Sequence, residues 1–266
     1  MNERMGVAPR LAVRKVHAAY GPYRALFDVS LHVGAGEVVA LLGANGAGKT
    51  TIARVVSGLL APTRGAVFLD GESIGGERPY RIARMGVAHV PEGRSVFSSL
   101  TVEENLTLAF RQQLAAREVS SALDEAYVVF PRLRERRAQP AGTLSGGEQR
   151  MLALARVLVR PPKVLVADEP SLGLAPVVVA DVYRTLDRIR SDGTALLLIE
   201  QHVHQAATIA DRVVVLKRGR VTFEGPVSAL DDSVLTEAIG DQVASGDSPS
   251  GSSEPTPPAE DADPFS

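Results

Sequence analysis

Along most of the chain, short apolar runs alternate with longer stretches in which apolar positions recur every three or four residues. The runs at 11–17, 29–33, 37–42, 66–70, 87–90, 164–168, 194–200 and 212–216 are Val/Leu/Ala-rich and bounded by turn residues, and they predict strands. The stretches at 49–60, 101–116, 120–130, 145–159, 176–191 and 203–209 predict helices. Several strands pass through one turn into a helix, so the fold class is α/β, with a mainly parallel sheet, right-handed crossovers and flanking helices. The early strands, joined by short polar turns, predict a separate antiparallel β subdomain. Between 95 and 142 only amphipathic helix is evident, which reads as a helical insertion.

These patterns divide the chain into a core (1–94 and 160–240), a helical subdomain (95–159) and a tail (241–266). The tail is rich in Ser, Pro, Gly, Asp and Glu, offers almost nothing apolar to bury, and is expected to be disordered. It also carries charge: six acids and no Lys or Arg, which leaves the remainder of a chain of net charge −2 mildly basic at +4. That surplus is too small and dispersed to argue for nucleic acid. With no cysteine, disulfides and thiolate metal sites are excluded. No signal-peptide pattern opens the chain, and no apolar run approaches the ~20 residues of a membrane span.

The strand at 37–42 runs directly into Gly43-Ala44-Asn45-Gly46-Ala47-Gly48-Lys49-Thr50, which matches GxxxxGK(S/T) in its strand–loop–helix setting. Glycines at 43, 46 and 48 let backbone N–H groups curl around a phosphate, with Asn45 in the same loop, and the helix that follows presents its positive end. Lys49 supplies a mobile positive charge to the β- and γ-phosphates of ATP. The Thr50 hydroxyl is the expected Mg²⁺ ligand, and Thr51 beside it joins the ATP-binding set. The second constellation is an apolar strand that ends in Asp168-Glu169-Pro170. Next to a phosphate loop, Asp168 would face the Mg²⁺ shell and Glu169 would polarise the attacking water.

A third segment, Leu144-Ser145-Gly146-Gly147-Glu148-Gln149, opens a helix whose apolar stripe is Met151, Leu154, Ala155 and Leu158. Ser145 and Glu148 fit a capping box. Gly146 and Gly147 are costly in an ordinary helix, about 1 kcal/mol each, and make sense if a phosphate must approach the backbone.

This LSGGEQ segment, placed after the phosphate loop and around a helical insertion, resembles the ATP-binding subunits of ABC transporters over about residues 11–240. In that family two subunits sandwich two ATP molecules, each phosphate loop facing the partner's signature. The resemblance therefore implies that Ser145, Gly146, Gly147 and Gln149 contact a nucleotide held by another subunit. It also places Tyr20 where an aromatic ring stacks on adenine, with Tyr23 close by in sequence. Glu92 falls where most members have a Gln that touches Mg²⁺, and Gln201 falls at the switch position, usually His, with His202 following. Ala175 stands where an Asp is usual. His202 and His204 lack the carboxylate or Cys cluster that would make them a metal pair.

VPEGR at 90–94, TVEENL at 101–106, DEPSLGLAP at 168–176 and IEQH at 199–202 are together similar to the LivF-type ATPase of branched-chain amino acid importers. That similarity implies a peripheral protein on the cytoplasmic face of the membrane. Its implied partners are a LivG-type ATPase in a heterodimer, two permeases and, indirectly, an exported solute-binding protein. An ATPase subunit does not touch cargo, so urea, short amides or other amino acids stay open as alternatives. So does a soluble ABC-type ATPase acting on a macromolecule.

Overall fold

The computed structural model describes residues 8–93, 95–158 and 161–230. The tail expected at 241–266 lies outside them. Ten strands and eight α-helices are formed among the described residues. Leu11–Tyr20 (β1), Tyr23–Val33 (β2), Arg64–Leu69 (β4) and Glu72–Ser73 (β5) make an antiparallel sheet in the order β2-β1-β4-β5. Val38–Leu42 (β3), Val87–Val90 (β6), Val164–Asp168 (β7), Ala195–Glu200 (β8), Arg212–Lys217 (β9) and Arg220–Pro226 (β10) make the larger sheet, in the order β10-β9-β3-β8-β7-β6. Every pairing in it is parallel except β10 on β9, so the mainly parallel sheet and the antiparallel subdomain are both present.

The apolar runs are continuous because both faces of the large sheet are covered. Val38, Ala40 and Leu42 of β3 pack into one core, while Val39 and Leu41 pack into the other. Leu165/Ala167 and Val164/Val166 of β7 divide in the same way. The first core is closed by the helices Val102–Arg111 (α3), Val119–Val129 (α4), Pro131–Glu135 (α5), Gly146–Leu158 (α6), Pro176–Ser191 (α7) and Val203–Ala207 (α8). The second holds Lys49–Val56 (α1) between the two sheets, with Ile52, Ala53, Val55 and Val56 buried on both sides. The short helix Pro79–Met85 (α2) adds Ile82 to it.

Boundaries differ from the sequence reading for local reasons. β1 and β2 are longer than predicted because register shifts near Val13, Val16 and Ala18, with Lys15 and Asp28 at positive φ, break the two-residue alternation. α1 ends at Val56, four residues early: the Ser57 hydroxyl bonds the Ala53 carbonyl at 2.7 Å and Gly58 turns left-handed at φ 74°. α2 and β10 were not predicted. α2 buries only Ile82, and β10 is a half-exposed edge strand with no fully buried position.

Strand register gathers the chemistry at one edge. Leu42 pairs with Glu200 and Asp168 pairs with Ile199, so the loops that follow β3, β7 and β8 leave from the same carboxyl end of the sheet.

Candidate functional site: the nucleotide cleft

The loop after β3 reaches α1 through Gly48, which is left-handed at φ 109° and gives the helix no side-chain cap. A Cβ there would lie 2.9 Å from Leu26 Cδ2, so only glycine brings the loop this close to β2. The N–H groups of the first helical turn are thereby left for an anion. Lys49 is buried and folded over the loop: its Nζ donates to the Gly43 carbonyl at 2.8 Å and the Ala44 carbonyl at 3.3 Å, and lies 3.5 Å from Glu169 Oε1.

Asp168, the last residue of β7, is fully buried and neither of its carboxylate oxygens has a hydrogen-bond partner. Burial, and next the charge of Glu169, push its carboxyl up to about 6, against the pull of the neighbouring Thr50 hydroxyl and Lys49. Two orphaned carboxylate oxygens beside a threonine hydroxyl are what a divalent cation would satisfy. Among the described residues no three His, Cys, Asp or Glu side chains gather to cage a metal alone. A Mg²⁺ ion here would complete its shell from phosphate and water, as that hard, hydrated ion prefers.

Glu169 follows in a left-handed backbone conformation, φ 47°, uncommon for a residue with a Cβ. Its N–H is tied to the Ile199 carbonyl at 2.9 Å, which fixes the turn off the strand. Gln201 Nε2 donates to Glu169 Oε1 at 2.7 Å. A loop lysine, a carboxylate and an amide from three separate strand ends thus meet at one oxygen.

They open into a cleft of about 600 Å³ lined by Tyr20, Ala25, Asn45, Gly46, Gly48, Lys49, Thr50, Thr51, Glu92, Glu169, Leu172 and Gln201. Gly43 and Asp168 are not on its wall: Gly43 sits under the Lys49 ammonium and Asp168 ends the buried strand. Of the two nearby tyrosines only Tyr20 lines the cleft, its hydroxyl 3.5 Å from Thr51 Oγ1 and 3.3 Å from an Arg54 nitrogen, whereas Tyr23 is 78% exposed and off it. His202 and His204 are exposed and are likewise absent from the wall.

The Ser145–Gln149 segment does not line this cleft. Ser145 accepts from the Glu148 N–H at 3.3 Å while Glu148 Oε2 accepts from the Ser145 N–H at 2.9 Å, completing the capping box. Ser145 and Gly146 are exposed at the start of α6. The two glycines then part company. A Cβ on Gly147 would meet Val178 Cγ1 of α7 at 2.6 Å, whereas one on Gly146 would find nothing nearer than 3.9 Å. Packing within the chain explains Gly147 and leaves Gly146 unexplained. Gln149, expected to reach outward, is only 3% exposed, and its Nε2 donates to the carbonyls of Ala141 at 2.9 Å and Leu144 at 3.2 Å. In this geometry it shapes the loop before α6.

The ABC transporter family model matches residues 26–172, just over half of the chain. The chain belongs to the ABC transporter family. It is therefore an ABC ATPase, an ATP-binding subunit whose hydrolysis is coupled to transport. Over 221 residues it is 44% identical to the "High-affinity branched-chain amino acid transport ATP-binding protein BraG" of Pseudomonas aeruginosa, covering 83% of this chain and 94% of that one. Over 217 residues it is 38% identical to the "Probable branched-chain amino acid transport ATP-binding protein LivF" of Archaeoglobus fulgidus, covering 81% and 92%. A solved ATP-binding subunit of an ABC transporter shares 30% identity and a TM-score of 0.74, covering 86% of this chain and 93% of that one.

Sequence reasoning missed several residues of this ABC ATPase, among them Ala25 on the cleft wall. Leu172 is half-exposed on the cleft wall. Glu200 is buried directly before Gln201. Arg150 is buried on α6 and donates to the Pro91 carbonyl at 3.0 Å and the Glu169 carbonyl at 3.3 Å, spanning from the signature helix to the backbones next to Glu92 and of Glu169 itself. Burial lowers its pKa, while the charges of Glu200, Glu92, Asp168 and Glu169 act in the opposite direction. The signal was an arginine inside a helix that buries 149, 150 and 152–155, a wider face than the predicted stripe.

Proposed function

We propose that this chain is the ATP-hydrolysing motor of an importer for branched-chain amino acids. The observation that carries the hydrolytic part is the meeting of Lys49 and Gln201 at Glu169 Oε1, at 3.5 and 2.7 Å, on the wall of the cleft. In this reading the loop glycines 43, 46 and 48, with Asn45, wrap the phosphates in backbone N–H groups, and Lys49 swings from the loop carbonyls onto the β- and γ-phosphates. Thr50 and Asp168 would hold Mg²⁺, whose charge neutralises the phosphate oxygens. Glu169 accepts a proton from the attacking water, and Gln201 keeps its carboxylate aimed. Tyr20 stacks on the base, Thr51 borders the phosphates, and Glu92, also on the cleft wall, would lie near the ion. Ser145 and Gly146, with Gly147 and Gln149 supporting them, form the face offered to a nucleotide on the partner subunit.

Core residues 1–94 and 160–240 then act as the catalytic body, and 95–159 as the arm that carries the signature. No helix among the described residues is long and apolar enough to cross a membrane. In this reading transport runs through two separate permeases, with this chain peripheral on the cytoplasmic face beside a LivG-type ATPase. An exported solute-binding protein delivers the cargo. The similarity to BraG over nearly its whole length supports branched-chain amino acids as that cargo.

The test is recovery of the chain from native membranes in mild detergent, with its companions identified by mass spectrometry. Two permeases, a second ATPase and a solute-binding protein that binds leucine, isoleucine or valine are expected. Soluble companions alone would overturn the importer, and a binding protein selective for urea or amides would overturn the cargo.

A further inference from the structure

Glu200, at the end of β8, is 1% exposed and takes no part in the cleft wall. A carboxylate this buried is costly unless donors converge on it, and here they do. Its Oε1 accepts from the Ser171 hydroxyl at 2.7 Å, the Ser171 N–H at 3.3 Å and the Tyr183 hydroxyl at 3.0 Å. Its Oε2 accepts from the N–H of Gln201 at 3.3 Å. Tyr183 lies on α7 and is itself buried; burial, and next the charge of Glu200, hold its phenol in the protonated, donating form.

The donors are not scattered. Ser171 is two residues past Glu169 in the turn off β7, and Gln201 is the residue whose amide holds Glu169. One carboxylate therefore grips the backbone beyond the base with one oxygen and the backbone of the base's partner with the other. The side-chain bond between Glu169 and Gln201 closes the ring. We propose that Glu200 is a positioning residue for hydrolysis, which sets the placement of the Glu169–Gln201 pair through Ser171, Tyr183 and the Gln201 N–H. The inference rests on the reading of Glu169 as base.

A glutamine at 200 would fill the same space but present an NH₂ where an acceptor is needed, either to Ser171 and Tyr183 or to the Gln201 N–H. One of the two backbones would be released. Displacements near 1 Å in such constellations cost up to ~10²-fold in rate. The experiment is steady-state ATP hydrolysis and equilibrium ATP binding by the full-length chain and its variants. Glu200→Gln is expected to lower kcat about tenfold or more with ATP affinity and KM within about twofold, because Ser171 and Tyr183 lie off the cleft wall and Gln201 engages Glu200 only through its backbone N–H. Tyr183→Phe and Ser171→Ala, which remove single neutral donors, should show the same split at about two- to tenfold.

A kcat within twofold of wild type for Glu200→Gln would overturn the proposal, as would a loss of kcat matched by loss of ATP binding. If that variant does not fold, the Tyr183→Phe and Ser171→Ala pair decides by the same split. Glu169→Gln, run alongside, separates the two readings. If it hydrolyses normally, the base assignment fails; if it is inactive while Glu200→Gln is normal, only the positioning role fails.

Discussion

Gln201 Nε2 stands 2.7 Å from Glu169 Oε1, closer to it than the Lys49 ammonium at 3.5 Å. A neutral amide thus orients the carboxylate without cancelling its charge, so Glu169 can still take a proton. Glu169→Gln is expected to bind ATP like the wild type and lose ~10²- to 10⁴-fold in turnover. Gln201→Ala, which frees the carboxylate but leaves it in place, should lose about tenfold. Phosphate release measured beside nucleotide binding checks both, and normal turnover in Glu169→Gln would remove the base.

Asp168 predicts an opposite pair of effects on stability and on metal. Its buried, unpartnered carboxylate opposes folding until a cation arrives. Asp168→Asn is expected to be more stable than wild type in chelator, by ~1–3 kcal/mol and with a higher Tm, and to lose the stabilisation that Mg²⁺ with ATP gives the wild type. Thermal melts with and without Mg-ATP read both. A variant still stabilised by Mg²⁺ as strongly as wild type would refute Asp168 as ligand.

The two signature glycines should separate by assay. Gly147→Ala drives a methyl to 2.6 Å from Val178 and is expected to cost ~1–3 kcal/mol in denaturant unfolding, relieved in part by Val178→Ala. Gly146→Ala has open space and should keep or slightly raise stability. Its defect would lie only in the hydrolysis of the assembled dimer. Full hydrolysis there would show that no phosphate approaches Gly146.

His89 on β6 predicts a pH dependence. Its Nε2 is buried without a hydrogen-bond partner, and burial, then the nearby Arg54 charge, hold it down at about 4. The fold accepts only the neutral ring. This contribution to stability is therefore complete above pH 6.5 and is lost as pH falls through about 4, at most about 3 kcal/mol in all. His89→Leu should unfold with a shallower pH dependence over that window than wild type, by urea titration at pH 7 and pH 4.5. Parallel curves would exclude the residue.

The phosphate loop, the Asp168-Glu169 pair and the strand–helix alternation were legible because each depends on residues adjacent in sequence. The order of the sheet edge was not. Glu200 pairs with Leu42 and reaches Ser171, 29 residues earlier, a meeting set by strand register. The burial of Gln149 and Arg150 was not legible for another reason. Both are polar residues in a polar-looking helical turn, and only the packing of α3, α5 and α7 around α6 shows that they point inward. Tyr20 and Tyr23 pair directly across the β1–β2 turn; periodicity does not separate them, the family resemblance points to Tyr20, and only Tyr20 lines the cleft.

Arg150 ties α6 to the backbones of Pro91 and Glu169. Its guanidinium spans two carbonyls that belong to different loops, and a buried cation left without them would cost several kcal/mol. The helical arm can therefore swing in two ways only. It drags the Pro91 and Glu169 backbones along, or it slips past an energetic detent as those bonds break. If the start of α6 meets a nucleotide on a second subunit, as proposed, any pull on that helix would be felt at the Pro91 and Glu169 backbones through this one guanidinium.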